Sequence, residues 1–221
     1  MTYSLNPWVS FCHVAGRTLF LDLAADRYFC LSVEAERSFE RLRSGAQRDA
    51  SDDRILAQMI GAKGPLCEGA GAPLLPCPGV VDAEVSLLDA GPAPLRPAQT
   101  LLATTALLAA PVRLRLFGMH RAIARLQVRK ARVRPRRTER ERLSQVAAAF
   151  AGLRSIATTH DQCLPRSLAV ATRLLAAGVR ADLVIAVKLE PFAAHAWVQW
   201  GDLLVNDRSD TVRDFTPILV V

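Results

Sequence analysis

The chain has 221 residues, of which 51% are hydrophobic and 22% are charged. This balance excludes an intrinsically disordered chain, and the length suits one large domain or two small ones. The formal net charge of +7 is unevenly distributed, because residues 1–100 carry 9 Lys/Arg against 12 Asp/Glu and residues 101–221 carry 19 against 9. A positively charged surface is therefore expected only in the second half.

Targeting segments, disulfides and metal sites are not predicted. Residues 2–8 lack the basic stretch and apolar run of a secretory signal. The longest uncharged apolar stretch, residues 97–112, is shorter than the roughly 20 residues that span a bilayer, so we expect a cytoplasmic protein without a membrane span. The five cysteines are irregularly spaced, which argues against a disulfide framework. Cys67 and Cys77 lack a second Cys/His pair nearby, so we expect no metal, and we expect no cofactor.

The first 80 residues predict three strands followed by two helices. Alternating apolar residues mark strands at 9–14, 18–23 and 27–31, the last two joined by a short hairpin loop. Ser32 precedes two glutamates and is placed to cap a helix over residues 33–43, which ends at Gly45. A second helix is expected from about residue 51.

Residues 21–32, with the sequence LDLAADRYFCLS, resemble the RiPP recognition element. This is a small winged-helix-like domain, related to the pyrroloquinoline-quinone chaperone (PqqD-like) family, that binds the leaders of ribosomally made precursor peptides. The resemblance implies a leader-binding domain over residues 1–85 that adds the leader to the hairpin edge as a further strand. The residues expected to contact the leader are Phe20, Leu21, Tyr28 and Phe29. An N-terminal packing subdomain remains the alternative.

A proline-rich linker and a helical region come next. Residues 86–97 form the predicted linker. Residues 99–110 are apolar on nearly every face, which predicts a helix buried between other elements. The helix continues from about residue 114 until Pro135 interrupts it, and Thr138 then opens another helix through a capping box.

The region from residue 111 to residue 142 carries 12 cations and 2 acids. Such a run is typical of a solvated helix face, but it also suits binding of nucleic acid phosphates or attraction of an acidic peptide or partner protein. No aromatic residue is interleaved with the arginines after Phe117, so we expect no nucleic acid partner.

Cys163 is predicted to lie at the start of a helix over residues 162–177, which Gly178 closes. Pro165 has no N–H and is comfortable only in the first turn of a helix, which fixes the position of the cysteine. Free N–H groups and the helix dipole favour a thiolate there. The sequence therefore indicates a reactive thiol.

His195 and Asp207 accompany this cysteine on predicted strands over residues 193–200 and 203–207. A cysteine, a histidine and an aspartate are the outline of a nucleophile, its base and the group that orients the base. A regular two-residue turn between the strands would point His195 and Asp207 to opposite faces. We therefore predict an odd-length connection or a bulge, and a regular two-residue hairpin would count against the triad.

Three motifs together, CLPR at residues 163–166, PFAAHAWV at 191–198 and VND at 205–207, closely resemble the leader peptidases of lasso peptide biosynthesis, the B proteins. The resemblance implies an α+β chain: a winged-helix-like leader-binding domain and a transglutaminase/papain-like cysteine peptidase domain over residues 98–221. It implies that the chain is an enzyme of antibiotic (RiPP) biosynthesis that cleaves the precursor at the leader–core junction.

The resemblance also implies roles and partners. Cys163 would attack the scissile carbonyl, His195 would transfer protons and Asp207 would fix its tautomer. Backbone N–H groups near Cys163, with Gln162 or His160 as a further donor, would stabilise the oxyanion. The precursor would bind through its leader, and a separate asparagine-synthetase-like macrolactam synthetase would close the ring using ATP. Two alternatives stay open: an acyltransferase of the transglutaminase or arylamine acetyltransferase type, and a non-catalytic peptide-binding scaffold.

Overall fold

The computed structural model describes residues 2–61, 64–69, 71–89, 96–134, 139–153 and 162–221. The chain divides into two compact units, Met1–Pro78 and Gly79–Val221, which we call the N-terminal and C-terminal units. Both units combine helices with sheet, so the mixed helix and sheet class expected from the sequence is observed.

The N-terminal unit is built on a three-stranded antiparallel sheet with two helices after it. The sheet has the order β2-β3-β4 and a second, two-stranded ribbon pairs β1 with β5. The ribbon was not predicted, because its strands are three residues long and far apart in sequence. The elements are β1 (Tyr3–Leu5), β2 (Val9–Val14), β3 (Arg17–Asp22), β4 (Arg27–Cys30), α1 (Val33–Ser44), α2 (Ala50–Gln58) and β5 (Leu66–Glu68).

Capping residues explain where the two helices begin and end. The Ser32 hydroxyl accepts a hydrogen bond from the backbone N–H of Ala35, and Gly45 ends α1 in the left-handed conformation with φ 70°, as the sequence predicts. The start of α2 is Ala50 because Asp49 caps it, accepting from the N–H of Asp52 while the Asp52 carboxylate accepts from the N–H of Asp49. This reciprocal cap was missed by the prediction, which placed the start at residue 51.

Three phenylalanines form the centre of the N-terminal core. Phe11, Phe20 and Phe39 are fully buried, and their ring centroids are 5.2–5.5 Å apart. Aromatic pairs at this separation contribute about 0.5–1.5 kcal/mol each beyond the burial of their surface. The strands and α1 are therefore held as one packed unit.

The C-terminal unit is built on a five-stranded sheet of order β10-β7-β8-β9-β6. All neighbours are antiparallel except β6 and β9. Its strands are β6 (Val85–Ser86), β7 (Asp182–Leu189), β8 (Phe192–Trp200), β9 (Leu203–Leu204) and β10 (Thr216–Val220). The pairing of β6 with β9 places residues 79–86 in this unit, so the predicted linker over residues 86–97 begins too early: Ser86 is a sheet residue and Pro97 already lies in a helix. The proline-rich residues 90–95 lie outside the described part of the chain.

The helices of this unit are α3 (Pro97–Arg132), α4 (Glu139–Ala151), α5 (Cys163–Ala176) and α6 (Ser209–Val212). Two arginines fix α4 against α5. The Arg142 guanidinium donates to the Ala177 carbonyl oxygen at 2.8 Å, and the Arg166 guanidinium donates to that of Phe150 at 3.0 Å. These bonds hold the helix that carries Cys163. The predicted helix breaker Pro135 and the predicted cap Thr138 lie outside the described residues.

The long helix α3 departs from the prediction in two ways. It breaks at Gly118, whose φ of 75° and ψ of 166° are not helical. The expected burial of residues 99–110 is wrong for most of the stretch, because Leu101 and Leu108 are each 65% exposed. By length and composition alone α3 is sufficient to cross a membrane, and the absence of a membrane span stays a prediction.

Candidate active site

Cys163 is the first residue of α5. Gln162 precedes the helix without capping it through its side chain, and Pro165 falls in the first turn, as predicted from its missing N–H. The thiol is half-buried and not in a disulfide. Its position at the start of a 14-residue helix is one where backbone N–H groups and the helix dipole interact favourably with negative charge.

His195 lies on β8 and Asp207 follows β9, and the two side chains meet. Nε2 of His195 is 2.5 Å from Oδ2 of Asp207, and both side chains are largely buried. The Cys163 side chain is close enough to raise the pKa of His195 through a hydrogen bond and through its charge. Because Nε2 faces Asp207, Nδ1 is the nitrogen that remains for the thiol. The structure therefore joins the three predicted residues in the order thiol, imidazole, carboxylate.

The prediction of an odd-length connection or a bulge between these residues is wrong, and the structure has the regular turn that was expected to separate His195 from Asp207. Trp200 pairs with Leu203 and Gln199 with Leu204, which is a regular two-residue turn. The prediction failed because it assumed that the strand continued to Asp207, whereas β9 ends at Leu204. Beyond that point the chain bends, and strand parity no longer decides which way the Asp207 carboxylate points.

Asn206, which the sequence prediction did not include, explains how the chain leaves the sheet. The Val205 N–H still donates to the Val198 carbonyl oxygen at 2.9 Å. The Val198 N–H, however, donates to Oδ1 of Asn206 at 2.7 Å. A side-chain amide thus takes the place that a backbone carbonyl would hold in a continuing ladder. As a result, the chain leaves the sheet before Asp207, and the Asp207 carboxylate reaches the His195 ring.

Ser167 and Ser86 form further hydrogen bonds that hold Asn206 and Asp207 in place. The Ser167 hydroxyl is fully buried, donates to the Ala196 carbonyl oxygen at 2.8 Å and accepts from Nδ2 of Asn206 at 2.9 Å. The Ser86 hydroxyl donates to the backbone carbonyl oxygen of Asp207 at 2.6 Å. Ser167 carries a sequence signal that was overlooked: a polar residue one turn after Cys163, at the start of the apolar face of α5. Ser86 carries none, because its strand is two residues long.

The pKa of His195 follows from these contacts. Burial of the imidazole lowers it, but the hydrogen bonds with Asp207 and Cys163 and the charges of both partners raise it, with a net rise from 6.5 to about 9. The imidazole therefore stays protonated at neutral pH, so it holds a proton that it can give to a leaving group.

Aromatic rings surround the imidazole. The Phe215 and Trp197 ring centroids lie 5.3 Å and 6.1 Å from that of His195, and Nζ of Lys188 lies 5.1 Å above the Phe215 ring. A cavity of about 640 Å³ borders both aromatic residues. Cys163, His195 and Asp207 do not line this cavity, so it borders the aromatic neighbours of the imidazole and not the triad itself.

The candidate oxyanion donors differ in what the structure says of them. Gln162 is exposed, immediately precedes Cys163 and forms no side-chain cap bond with α5. His160 lies outside the described residues. Within the described part of the chain, no group of three or more His, Cys, Asp or Glu side chains is arranged to hold a metal ion.

The predicted leader-contact residues of the N-terminal unit fall into two classes. Phe20 and Leu21 are fully buried and form part of the core, so the prediction that they contact a leader is corrected. Tyr28 and Phe29 are half-buried on β4, an edge strand of the three-stranded sheet. Phe29 stacks on Phe20 with a centroid distance of 5.3 Å, and the Arg27 guanidinium lies 4.9 Å above its ring.

Comparison with known proteins gives a family but no individual relative. No curated protein and no solved structure matches the chain. A sequence model of the transglutaminase-like superfamily matches residues 105–220, just over half of the chain. The matched region includes Cys163, His195 and Asp207, and it covers strands β7 to β10, helices α4 to α6 and most of α3. The chain therefore belongs to the transglutaminase-like superfamily.

Proposed function

We propose that this chain is a cysteine peptidase that binds the leader of a lasso peptide precursor and cleaves it at the leader–core junction. The observation that carries the proposal is the hydrogen-bonded series from Cys163 through His195 to Asp207, in a domain compatible with a cysteine peptidase or an acyltransferase. The three sequence motifs that resemble the lasso leader peptidases supply the choice of substrate.

The chemistry begins with attack of the Cys163 thiolate on the scissile carbonyl carbon. The developing oxyanion is stabilised by N–H groups at the start of α5 and by the Gln162 carboxamide. His195, already protonated, gives its proton to the leaving amine as the C–N bond breaks, which leaves an acyl-enzyme. The neutral imidazole then takes a proton from water, whose oxygen attacks the thioester, and the thiolate departs. Asp207 holds the imidazole in place in both half-reactions.

The N-terminal unit provides leader capture in this proposal. The leader adds as a strand alongside β4 (Arg27–Cys30), the edge strand of the β2-β3-β4 sheet, with Tyr28 and Phe29 as the side chains that line its path. Binding the leader raises the effective concentration of the scissile bond at Cys163. The free core then passes to an asparagine-synthetase-like macrolactam synthetase in the cytoplasm.

An acyltransferase is the second candidate, because the same acyl-enzyme is formed. The two functions differ in the group that resolves the thioester, water in one case and an amine in the other. The products distinguish them by mass. Hydrolysis adds one water to the acyl fragment, whereas aminolysis adds the amine and leaves no free acid.

The test is incubation of the full chain with the precursor peptide encoded beside its gene, followed by mass spectrometry. We expect one cut at the leader–core junction, abolished by Cys163→Ala and retained by Cys67→Ala, a control whose thiol hydrogen-bonds the backbone of β1. Cleavage that survives Cys163→Ala would overturn the enzyme assignment. Amine adducts in place of the acid would favour the acyltransferase.

A further inference from the structure

A second cavity of the C-terminal unit has no part in the proposed chemistry. It has a volume of about 250 Å³ and lies between α3 and α5, and none of Cys163, His195 and Asp207 lines it. We call it the α3–α5 pocket. Its walls are mainly apolar, and its charged residues are Arg113, Arg125 and Arg129. The other residues that line it are Ala106, Ala110, Leu114, Phe117, Ala122, Leu126, Leu168, Ala169 and Thr172.

The three arginines of this pocket have no acidic partner within the described part of the chain. Among the cations of α3, Lys130 pairs with Asp182. Arg113, Arg125 and Arg129 are exposed and pair with no described carboxylate. The helix as a whole has seven Lys/Arg and no Asp/Glu. Positive charge is thus concentrated at the mouth of a concave apolar site, where it attracts anions strongly.

Size and chemistry favour a peptide side chain as the occupant. The pocket is smaller than the about 300–1,000 Å³ of typical small-molecule sites, but it has room for an apolar side chain. Guanidinium groups bind carboxylates through paired, charge-assisted hydrogen bonds. An apolar side chain flanked by Asp or Glu satisfies both the walls and the rim.

A nucleic acid fits the pocket less well. Proteins that bind single strands stack bases on aromatic faces and follow the backbone along a groove. Phe117 is the one aromatic residue of the pocket, and the Arg125 guanidinium already lies 4.6 Å above its ring. Small aliphatic side chains make up most of the remaining wall.

We propose that the α3–α5 pocket binds an acidic peptide segment, with an apolar side chain in the cavity and neighbouring carboxylates on Arg113, Arg125 and Arg129. This site is separate from the proposed cleavage chemistry and does not depend on it. It gives a binding role to part of the arginine-rich region. The sequence allowed three interpretations of this region: a solvated helix face, a nucleic acid site and a site for an acidic partner.

The probe is a fluorescein-labelled hexapeptide, Asp-Glu-Phe-Leu-Glu-Asp, titrated with the full-length Cys163→Ala chain so that cleavage plays no part. Its matched analogue carries Asn and Gln in place of Asp and Glu. We expect the neutral analogue to bind at least about tenfold more weakly, because charge-assisted bonds to the arginines are lost. Equal affinity for the two peptides would overturn the proposal.

Two double variants test whether the pocket or the general charge binds the probe. Arg125→Gln/Arg129→Gln removes two rim charges, whereas Arg121→Gln/Arg132→Gln removes two exposed charges of the same helix that do not line the pocket. We expect a loss of about tenfold or more for the first pair and less than about twofold for the second. Equal losses would show diffuse attraction and overturn the proposal.

Competition with a random DNA duplex tests the remaining alternative, in which the pocket binds nucleic acid. We expect no displacement of the acidic peptide at 150 mM salt, where weak phosphate contacts are largely screened. Displacement of the peptide by the duplex, with direct binding of the labelled duplex that is weakened in Arg125→Gln/Arg129→Gln but not in Arg121→Gln/Arg132→Gln, would assign the pocket to nucleic acid instead and overturn the proposal. Because binding is measured without cleavage, failure here leaves the peptidase proposal standing, and failure of cleavage leaves this site standing.

Discussion

Asn206 decides the geometry of the site at the scale of single residues. Its carboxamide accepts from the Val198 N–H and donates to the Ser167 hydroxyl, so one side chain both ends the β8–β9 ladder and ties it to α5. The Ser167 hydroxyl in turn donates to the backbone of β8 beside His195. The helix that carries the thiol and the strand that carries the imidazole are thus joined by hydrogen bonds that do not involve the reacting atoms.

Ser167→Ala tests this connection. It leaves the Ala196 carbonyl oxygen and the Asn206 amide without their partner in a buried place, and an unpaired buried polar group costs about 1–3 kcal/mol. We expect the free energy of unfolding, measured by urea denaturation, to fall by that amount or more. Ser144→Ala removes an exposed hydroxyl bonded to its own helix and should change it by less than about 0.5 kcal/mol. A loss no larger for Ser167→Ala than for Ser144→Ala would contradict the buried network.

Asp207→Asn tests the charge on His195 through pH dependence. The imidazole has its pKa raised from 6.5 to about 9, so it is protonated below that pH and loses its proton as the pH rises through it. We expect kcat/KM for the precursor to fall above about pH 9. Without the Asp207 carboxylate, burial still lowers the pKa of His195, so this alkaline decline should move to lower pH by about 1–3 units.

The control for that shift is Asp202→Asn, which removes an exposed carboxylate in the turn between β8 and β9. Its pH profile should match that of the unmodified chain. An unchanged alkaline decline in Asp207→Asn would mean that the carboxylate does not set the protonation of His195.

At the scale of elements, the sequence predicted the helix ends that are set by neighbouring residues. It did not predict burial or strand pairing, because these depend on residues far away in the sequence. Pro165 lies in the first turn of α5 (Cys163–Ala176) and Gly178 directly follows its C-cap residue Ala177, as the sequence predicts. The apolar residues 99–110 predicted burial, but nothing in that stretch shows which neighbours are present to cover it. Strand β6 was missed because it is two residues long and pairs in parallel with β9, more than 100 residues later.

The same limits apply to the site. The identity and order of Cys163, His195 and Asp207 could be read from the sequence, together with the helix start that holds the thiol. The path that brings Asp207 to His195 could not, because it depends on a side chain of Asn206 that replaces a backbone partner. Their catalytic roles stay a prediction until the variants are measured.

Gly118→Ala tests the break in α3. Gly118 has φ 75° and ψ 166°, a backbone region that is essentially restricted to glycine, and an added Cβ would lie 3.4 Å from Nδ1 of His120. We expect a loss of about 1–3 kcal/mol in unfolding free energy. Gly79→Ala, where an added Cβ meets nothing within 4 Å, is the control and should be nearly neutral. A neutral Gly118→Ala would mean that α3 tolerates a different path at this point.

At the scale of the whole molecule, the two units separate recognition from chemistry in the proposed function. The triad and its hydrogen-bonded support lie entirely within Gly79–Val221, and the candidate leader edge lies within Met1–Pro78. The N-terminal unit has its own phenylalanine core, built from Phe11, Phe20 and Phe39. Each unit therefore contains the contacts that its proposed role requires.

Removal of residues 1–78 tests this division. We expect KM for the full precursor to rise by about 100-fold, within the range by which tethering raises apparent affinity. The rate constant for a short peptide that spans only the junction should be unchanged. The comparison uses full-length and truncated chains with both substrates. An unchanged KM for the full precursor would remove the leader-binding role from the N-terminal unit.

The reactivity of Cys163 is the most direct measure of the central claim, that a histidine-paired thiolate lies at the start of α5. All five cysteines are alkylated with iodoacetamide at pH 7 and quantified peptide by peptide. Cys12 is an internal reference, because burial and then the neighbouring Cys77 and Cys30 raise its pKa to about 12. We predict that Cys163 reacts at least about tenfold faster than every other cysteine and that His195→Ala removes this advantage. A Cys163 that reacts no faster than the other four, or equally fast without His195, would contradict the account.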